Sequence, residues 1–168
     1  MKRWLRFTAA VLAAAFLFAL TGCGSSTNSA SFTWFVDSIP ANLDPQVASG
    51  ASDVIACENL YGTLVRKDPD GELVPGLCEK WTVSPDGLTY TFTLKDGLRY
   101  AAAKGAATEY DITAEDFVFA FRRIFRADTA SPYAVEFSAI QNSAAVLAGL
   151  ADESSLGVSA NGALTLVF

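Results

Sequence analysis

The side chains able to do chemistry in this 168-residue chain are three cysteines, eighteen carboxylates and twelve cations, with no histidine. Lacking an imidazole, the chain cannot run a Ser-His-Asp or Cys-His mechanism from its own residues. Carboxylate catalysis survives that test, but it needs two acids in unlike surroundings, one with a raised pKa. The acids are not placed that way. Asp68, Asp70, Asp86 and Asp96 fall in turns, and Glu115 and Asp116 open a helix. Cys57 and Cys78 lack the paired spacing of a zinc site, and no histidine completes a ligand set, so no metal is expected. They are either a disulfide, with one possible connectivity in an exported chain, or two small buried hydrophobes. Nothing here points to an enzyme or to a cofactor.

The third cysteine has a different setting. Lys2, Arg3 and Arg6 make a basic start, residues 8–20 are apolar, and Leu20-Thr21-Gly22 precedes Cys23. An apolar run so short and so early reads as an export signal rather than a membrane span. The small residues before Cys23 read as a lipoprotein signal peptide over residues 1–22, with Cys23 as the lipid-modified new N-terminus; the alternative is an uncleaved signal anchor with a chance cysteine. Each buried methylene of an acyl chain adds about 0.8 kcal/mol of membrane affinity, so several chains anchor firmly. Residues 23–31 are small and polar, as a flexible tether should be. Cleavage leaves nine basic against eighteen acidic residues, a net charge of −9. That balance argues against nucleic acid and anionic headgroups as partners through bulk charge.

The elements that would position any site follow from pattern. Residues 31–36 read as a first strand, and Pro40 and Pro45 keep the next segment extended or turned. Residues 52–64 have broadly helical spacing, with Ser52 or Asp53 as N-cap. From 63 to 100 the chain reads as short strands between Asp70-Gly71, Asp86-Gly87 and Asp96-Gly97 turns. Leu88-Thr89-Tyr90-Thr91-Phe92-Thr93-Leu94 alternates perfectly, which predicts a half-buried strand. Residues 101–110 read as an irregular surface loop. Thr113 and Asp116 frame a capping box for a helix whose Phe117, Phe121, Ile124 and Phe125 share one face. Arg122, Arg123 and Arg126 near its end suit the helix dipole, or alternatively form a basic patch for an anionic ligand. A second helix is predicted over 138–149, ending at Gly149. Residues 156–168 read as strand, Asn161-Gly162 turn and strand, the last stopping with the chain as an unpartnered edge. Helices and strands mix without strict βαβ alternation, which predicts an α+β or mixed α/β class.

The order of motifs resembles a known family. Leu60-Tyr61 through Leu64-Val65, then Asp68-Pro69-Asp70-Gly71 with Leu73-Val74-Pro75-Gly76-Leu77, Trp81, and Val83-Ser84-Pro85-Asp86-Gly87-Leu88 are similar to the opening of the peptide-binding (family 5) solute-binding proteins of ABC importers. The match continues through Asp111-Ile112-Thr113-Ala114-Glu115-Asp116-Phe117 to Thr129-Ala130-Ser131-Pro132-Tyr133. It covers most of residues 32–168, and departs from the family at 101–110, where a Trp-Ser-Asp-Gly-like turn is missing. The resemblance implies the N-terminal, incomplete part of a two-lobed periplasmic-binding-protein-like fold. It implies an extracytoplasmic, lipid-anchored protein at the periplasm or cell surface that hands oligopeptides to an ABC permease and ATPase complex. Residues 47–53 would then lie along the cleft, with Ser49, Gly50 and Ala51 pairing with an extended peptide, and Tyr133 facing it. An ordinary helix-entry loop and a core or turn tyrosine are the structural alternatives. The same fold also serves nickel-chelate, oligosaccharide, haem and opine-type solutes. A structural or adhesive surface lipoprotein fragment, or a nonfunctional remnant, is the reading from another class.

Overall fold

In the computed structural model, residues 33, 35, 37–102 and 110–168 are described. The signal peptide, Cys23, the tether and most of the predicted 31–36 strand lie outside them, and so do residues 103–109 of the surface loop. Thr33 and Phe35, the described members of that predicted strand, are not in a strand. Residues 36–168 form one compact unit.

The unit is built on helix α1 (Ala51–Leu60), strands β1 (Val65–Lys67), β2 (Leu73–Pro75), β3 (Cys78–Val83) and β4 (Tyr90–Leu94), helix α2 (Ala114–Ile124), short helix α3 (Ser143–Leu147), and strands β5 (Ser159–Ala160) and β6 (Thr165–Val167). Strands β1 and β2 pair alone, while the larger sheet runs β3-β4-β6-β5, all antiparallel. Helices and antiparallel strands are thus segregated rather than alternating, which is the expected α+β class.

The Asp-Gly turns form as read. Gly71, Gly87 and Gly97 all adopt positive φ, and Asp86 accepts the Leu88 N–H while Asp96 accepts that of Gly97. In the first turn the accepting side chain is Asp68, which takes the N–H groups of Asp70 and Glu72.

Strand β6 corrects an expectation. It is an interior strand: Thr91 faces Val167, Phe92 faces Leu166 and Thr93 faces Thr165, with β5 on its other side. Phe168 and Tyr90 exchange both backbone hydrogen bonds. The alternating β4 offers a second hydrogen-bonding edge, and the returning chain occupies it from some seventy residues away.

Helix α2 lies against this sheet. Thr113 and Asp116 make the expected capping box: the Asp116 carboxylate accepts the Thr113 N–H at 2.7 Å and its hydroxyl at 2.9 Å. Caps of this kind are worth about 1 kcal/mol. Val118, Ile124 and Phe125 are buried with Leu94 and Leu166, and Phe117 and Phe121 pack at the margin. Edge-on aromatic contacts link Phe92 to Phe168, Phe168 to Phe121, and Phe121 to Phe137. The predicted 138–149 helix shrinks to α3 after a 3-10 turn at Ala134–Phe137. Asn142 is left-handed at the entry to α3, which breaks the longer helix, and Gly149 supplies the expected positive φ at its end.

Candidate ligand-binding loop and its strap

Helix α1 is capped two to three residues earlier than at its predicted caps, Ser52 or Asp53. Gly50 is its N-cap, in ordinary extended conformation, and Ser52 and Asp53 are buried in the first turn. Their side chains reach backwards instead of capping. The Ser52 hydroxyl lies 2.9 Å from that of Ser38, and Asp53 Oδ1 accepts the Ala41 N–H at 2.7 Å. Those bonds fasten segment 38–41, which contains Pro40, to the helix start.

Ser49, Gly50 and Ala51 are exposed, whereas Ala48 before them and Ser52-Asp53 after them are buried. The loop is therefore a three-residue span fixed at both ends. Among the described residues, no hydrogen bond engages the backbone N–H or C=O of Ser49. A Cβ on Gly50 would meet Asp53 Oδ2 at 3.2 Å, so the glycine also allows the carboxylate to sit under the loop.

Tyr133 is brought to this loop. Its hydroxyl donates to the Ala48 carbonyl, across 85 residues of sequence. The ring is partly buried and lines an open cavity of about 950 Å³ with Ala48, Cys57, Tyr61 and Phe137. The hydroxyl is thus spent on holding the loop, and the ring face is what remains for a neighbour. Tyr61 does a parallel job, donating to the Leu43 carbonyl at 2.9 Å.

A strap that sequence reasoning missed lies just upstream. Arg123 Nη1 donates to Asp44 Oδ1 at 3.1 Å and to Gln46 Oε1 at 2.8 Å, and Nη2 pairs with Asp44 Oδ2. Gln46 Nε2 donates to the Ala120 carbonyl at 2.7 Å, and Ser131 Oγ donates to the Gln46 carbonyl at 2.6 Å. The Arg123 hydrogen bond holds the Asp44 carboxyl below its ordinary 3.8, against the upward pull of burial. Arg126 pairs with Glu153, Nη2 to Oε1 at 2.6 Å. The basic-patch alternative is therefore overturned for these two arginines: each is held by a carboxylate of its own chain. Helix-end placement was legible for all three arginines; the partners, drawn from elsewhere in the chain, were not. An acid beside proline and glutamine, in Asp44-Pro45-Gln46, was the available signal for a docked turn.

Cys57 and Cys78 are two separate buried thiols in this structure. Cys57 lies in α1 and Cys78 opens β3 opposite Leu94. Burial, reinforced by Asp53 and Asp44, pushes the Cys57 pKa up.

Residues 72–168 match the family described as bacterial extracellular solute-binding proteins, family 5 Middle. This chain belongs to that family. It is 36% identical over 129 residues to the periplasmic murein peptide-binding protein MppA of Escherichia coli K12, covering 76% of this chain and 23% of that protein. The probable deoxycholate-binding periplasmic protein YgiS of the same organism is also 36% identical over 129 residues, with the same coverage. Among solved structures, the Haemophilus influenzae OppA complex with RPPGFSPFR superposes with a TM-score of 0.65 at 30% identity, over 76% of this chain and 24% of that one. The chain thus spans about a quarter of the length of these relatives, and its mixed α and β elements are part of a periplasmic-binding-protein fold. Among the described residues, no helix is long and apolar enough to cross a membrane.

Proposed function

We propose that this chain is the loop-bearing N-terminal part of an extracytoplasmic binding protein that takes up oligopeptides for an ABC permease and ATPase complex. The observation that carries the proposal is the exposed Ser49–Ala51 span, pinned between buried residues, in which the main chain of Ser49 is unengaged while the Gly50 carbonyl accepts the Val54 N–H and Ala51 opens α1. Such an edge suits β-augmentation, in which main-chain hydrogen bonds hold an extended peptide irrespective of its side chains. The ring of Tyr133 stands beside it as an apolar platform. No chemistry on the ligand is part of the proposal: the chain has no histidine, and the acids nearest the loop, Asp44 and Asp53, are occupied in holding backbone and arginine. Acyl chains on Cys23 would tether the protein to the membrane, with residues 24–31 as a leash.

Family membership leaves the ligand class open, because a peptide-named and a deoxycholate-named relative are equally similar. Calorimetric titration of the mature protein with a mixed tri- to nonapeptide library, and separately with deoxycholate, decides between them. Heat with peptides supports the proposal. Heat with deoxycholate alone replaces the ligand, and heat with neither removes solute binding from this chain. Mass spectrometry of the N-terminal peptide tests the anchor; an unmodified Cys23 in membrane-derived protein would rule it out.

A further inference from the structure

The strap has a property that simple packing does not require. Between Asp44 and Ala48, its contacts with helix α2 and residues 131–133 fall on alternate parts of a single turn. The Asp44 carboxylate and Gln46 amide meet Arg123 and Ala120, the Gln46 carbonyl meets Ser131, and the Ala48 carbonyl meets Tyr133. The turn itself is closed by the Val47 and Ala48 N–H groups, which both donate to the Asp44 carbonyl at 3.1 and 2.8 Å. Every one of these side-chain bonds ends before Ser49, where the exposed span begins. Arg123 makes three of them and is anchored in the last turn of a helix whose inner face is buried.

We infer that Arg123 is a positioning residue for ligand binding: through Asp44 and Gln46 it sets where the Ser49–Ala51 main chain is presented. This rests on the proposed solute-binding role of that span. A planar guanidinium fork fixes both distance and orientation of two acceptors, which an ammonium cannot do. Ser49 makes no backbone hydrogen bond of its own and Gly50 and Ala51 are held from the helix side, so the span's position is inherited from the turn before it and the helix after it. A binder that uses main-chain bonds gains affinity from an edge already held in place.

The test is Arg123→Lys, which keeps the charge and removes the fork. Hydrogen exchange is read at the Val47 and Ala48 amides, with the Leu94 amide (bonded to the Leu164 carbonyl) as the core reference. The expected result is roughly tenfold faster exchange at Val47 and Ala48, a smaller change at Leu94, and a thermal midpoint lowered by no more than the loss of those bonds. Ser131→Ala, which removes one neutral bond to the same turn, should give the same pattern at a smaller size. Unchanged exchange at Val47 and Ala48 in both variants would overturn the inference. So would acceleration spread equally to Leu94, because that marks Arg123 as general scaffold. Peptide titration of the same samples separates the two levels. Binding by wild type that weakens several-fold in Arg123→Lys supports positioning, and equal affinity refutes it. A wild-type protein that binds no peptide refutes the peptide reading, and with it the ligand-directed role, even where the exchange pattern shows that Arg123 orders the turn.

Discussion

Replacing Tyr133 by phenylalanine removes one oxygen and tests what that oxygen is for. The hydroxyl donates to the carbonyl of Ala48, a residue only 2% exposed. Phenylalanine keeps the ring against Phe137 and the cavity wall, so no void opens and the loss is confined to the hydrogen bond. A buried carbonyl left without its donor costs about 1–2 kcal/mol. At about 1.4 kcal/mol per factor of ten, the turn at 44–48 should open roughly five to thirty times more often. Urea unfolding should show the variant less stable by that amount, and the Ala48 amide should exchange faster by the same factor. Peptide affinity should fall by no more than the cost of re-ordering the turn. If stability and exchange are unchanged while peptide affinity falls, the hydroxyl belongs to the ligand and not to Ala48. That result would refute the reading of Tyr133 as a loop anchor.

Other consequences can be checked with equally simple variants. A Cβ at Gly76 would sit 2.2 Å from the Thr63 carbonyl oxygen, in backbone that donates from Gly76 to Leu64 and from Leu77 to Thr63. Gly76→Ala should therefore lose about 2–3 kcal/mol in urea unfolding, whereas Gly71→Ala, left-handed but in open space, should lose about 1 kcal/mol. The Asp44 carboxyl is lowered by its bond to Arg123, with burial opposing and the Gln46 N–H assisting. Asp128 and Arg126 also face that arginine. A lowered folded pKa stabilises above the unfolded value near 3.8 and is lost as pH falls through the folded one. The midpoint difference between wild type and Asp44→Asn should accordingly hold steady from about pH 8 to 5 and shrink below about pH 4. Cys57 and Cys78 should be alkylated only after unfolding, both as thiols. A folded chain lighter by two hydrogens under non-reducing mass analysis would show them joined.

Much of the scaffold was legible because its signals are local. A Gly that must take positive φ, an Asp that bonds backbone nearby, and a strict two-residue alternation each act within a few residues. The Thr113–Asp116 cap works the same way. The misreadings share a cause. Ser52 and Asp53 have the chemistry of caps, yet their side chains answer to Ser38 and Ala41 instead. The last strand looked like an edge because its partner, β4, is distant in sequence. Asn142 could not be known to turn left-handed from its neighbours alone.

The candidate site divides along the same line. An ordered set of motifs pointed to the family, and Ser49, Gly50, Ala51 and Tyr133 were named only as what that resemblance implies. Only the tertiary structure brought Tyr133 to Ala48 and Arg123 to Asp44, contacts spanning 85 and 79 residues. A sequence records which groups can donate and accept and how they alternate along the chain. Which donor meets which acceptor is settled when the core of α2 and the four-stranded sheet closes, because only then are distant groups held within hydrogen-bonding reach.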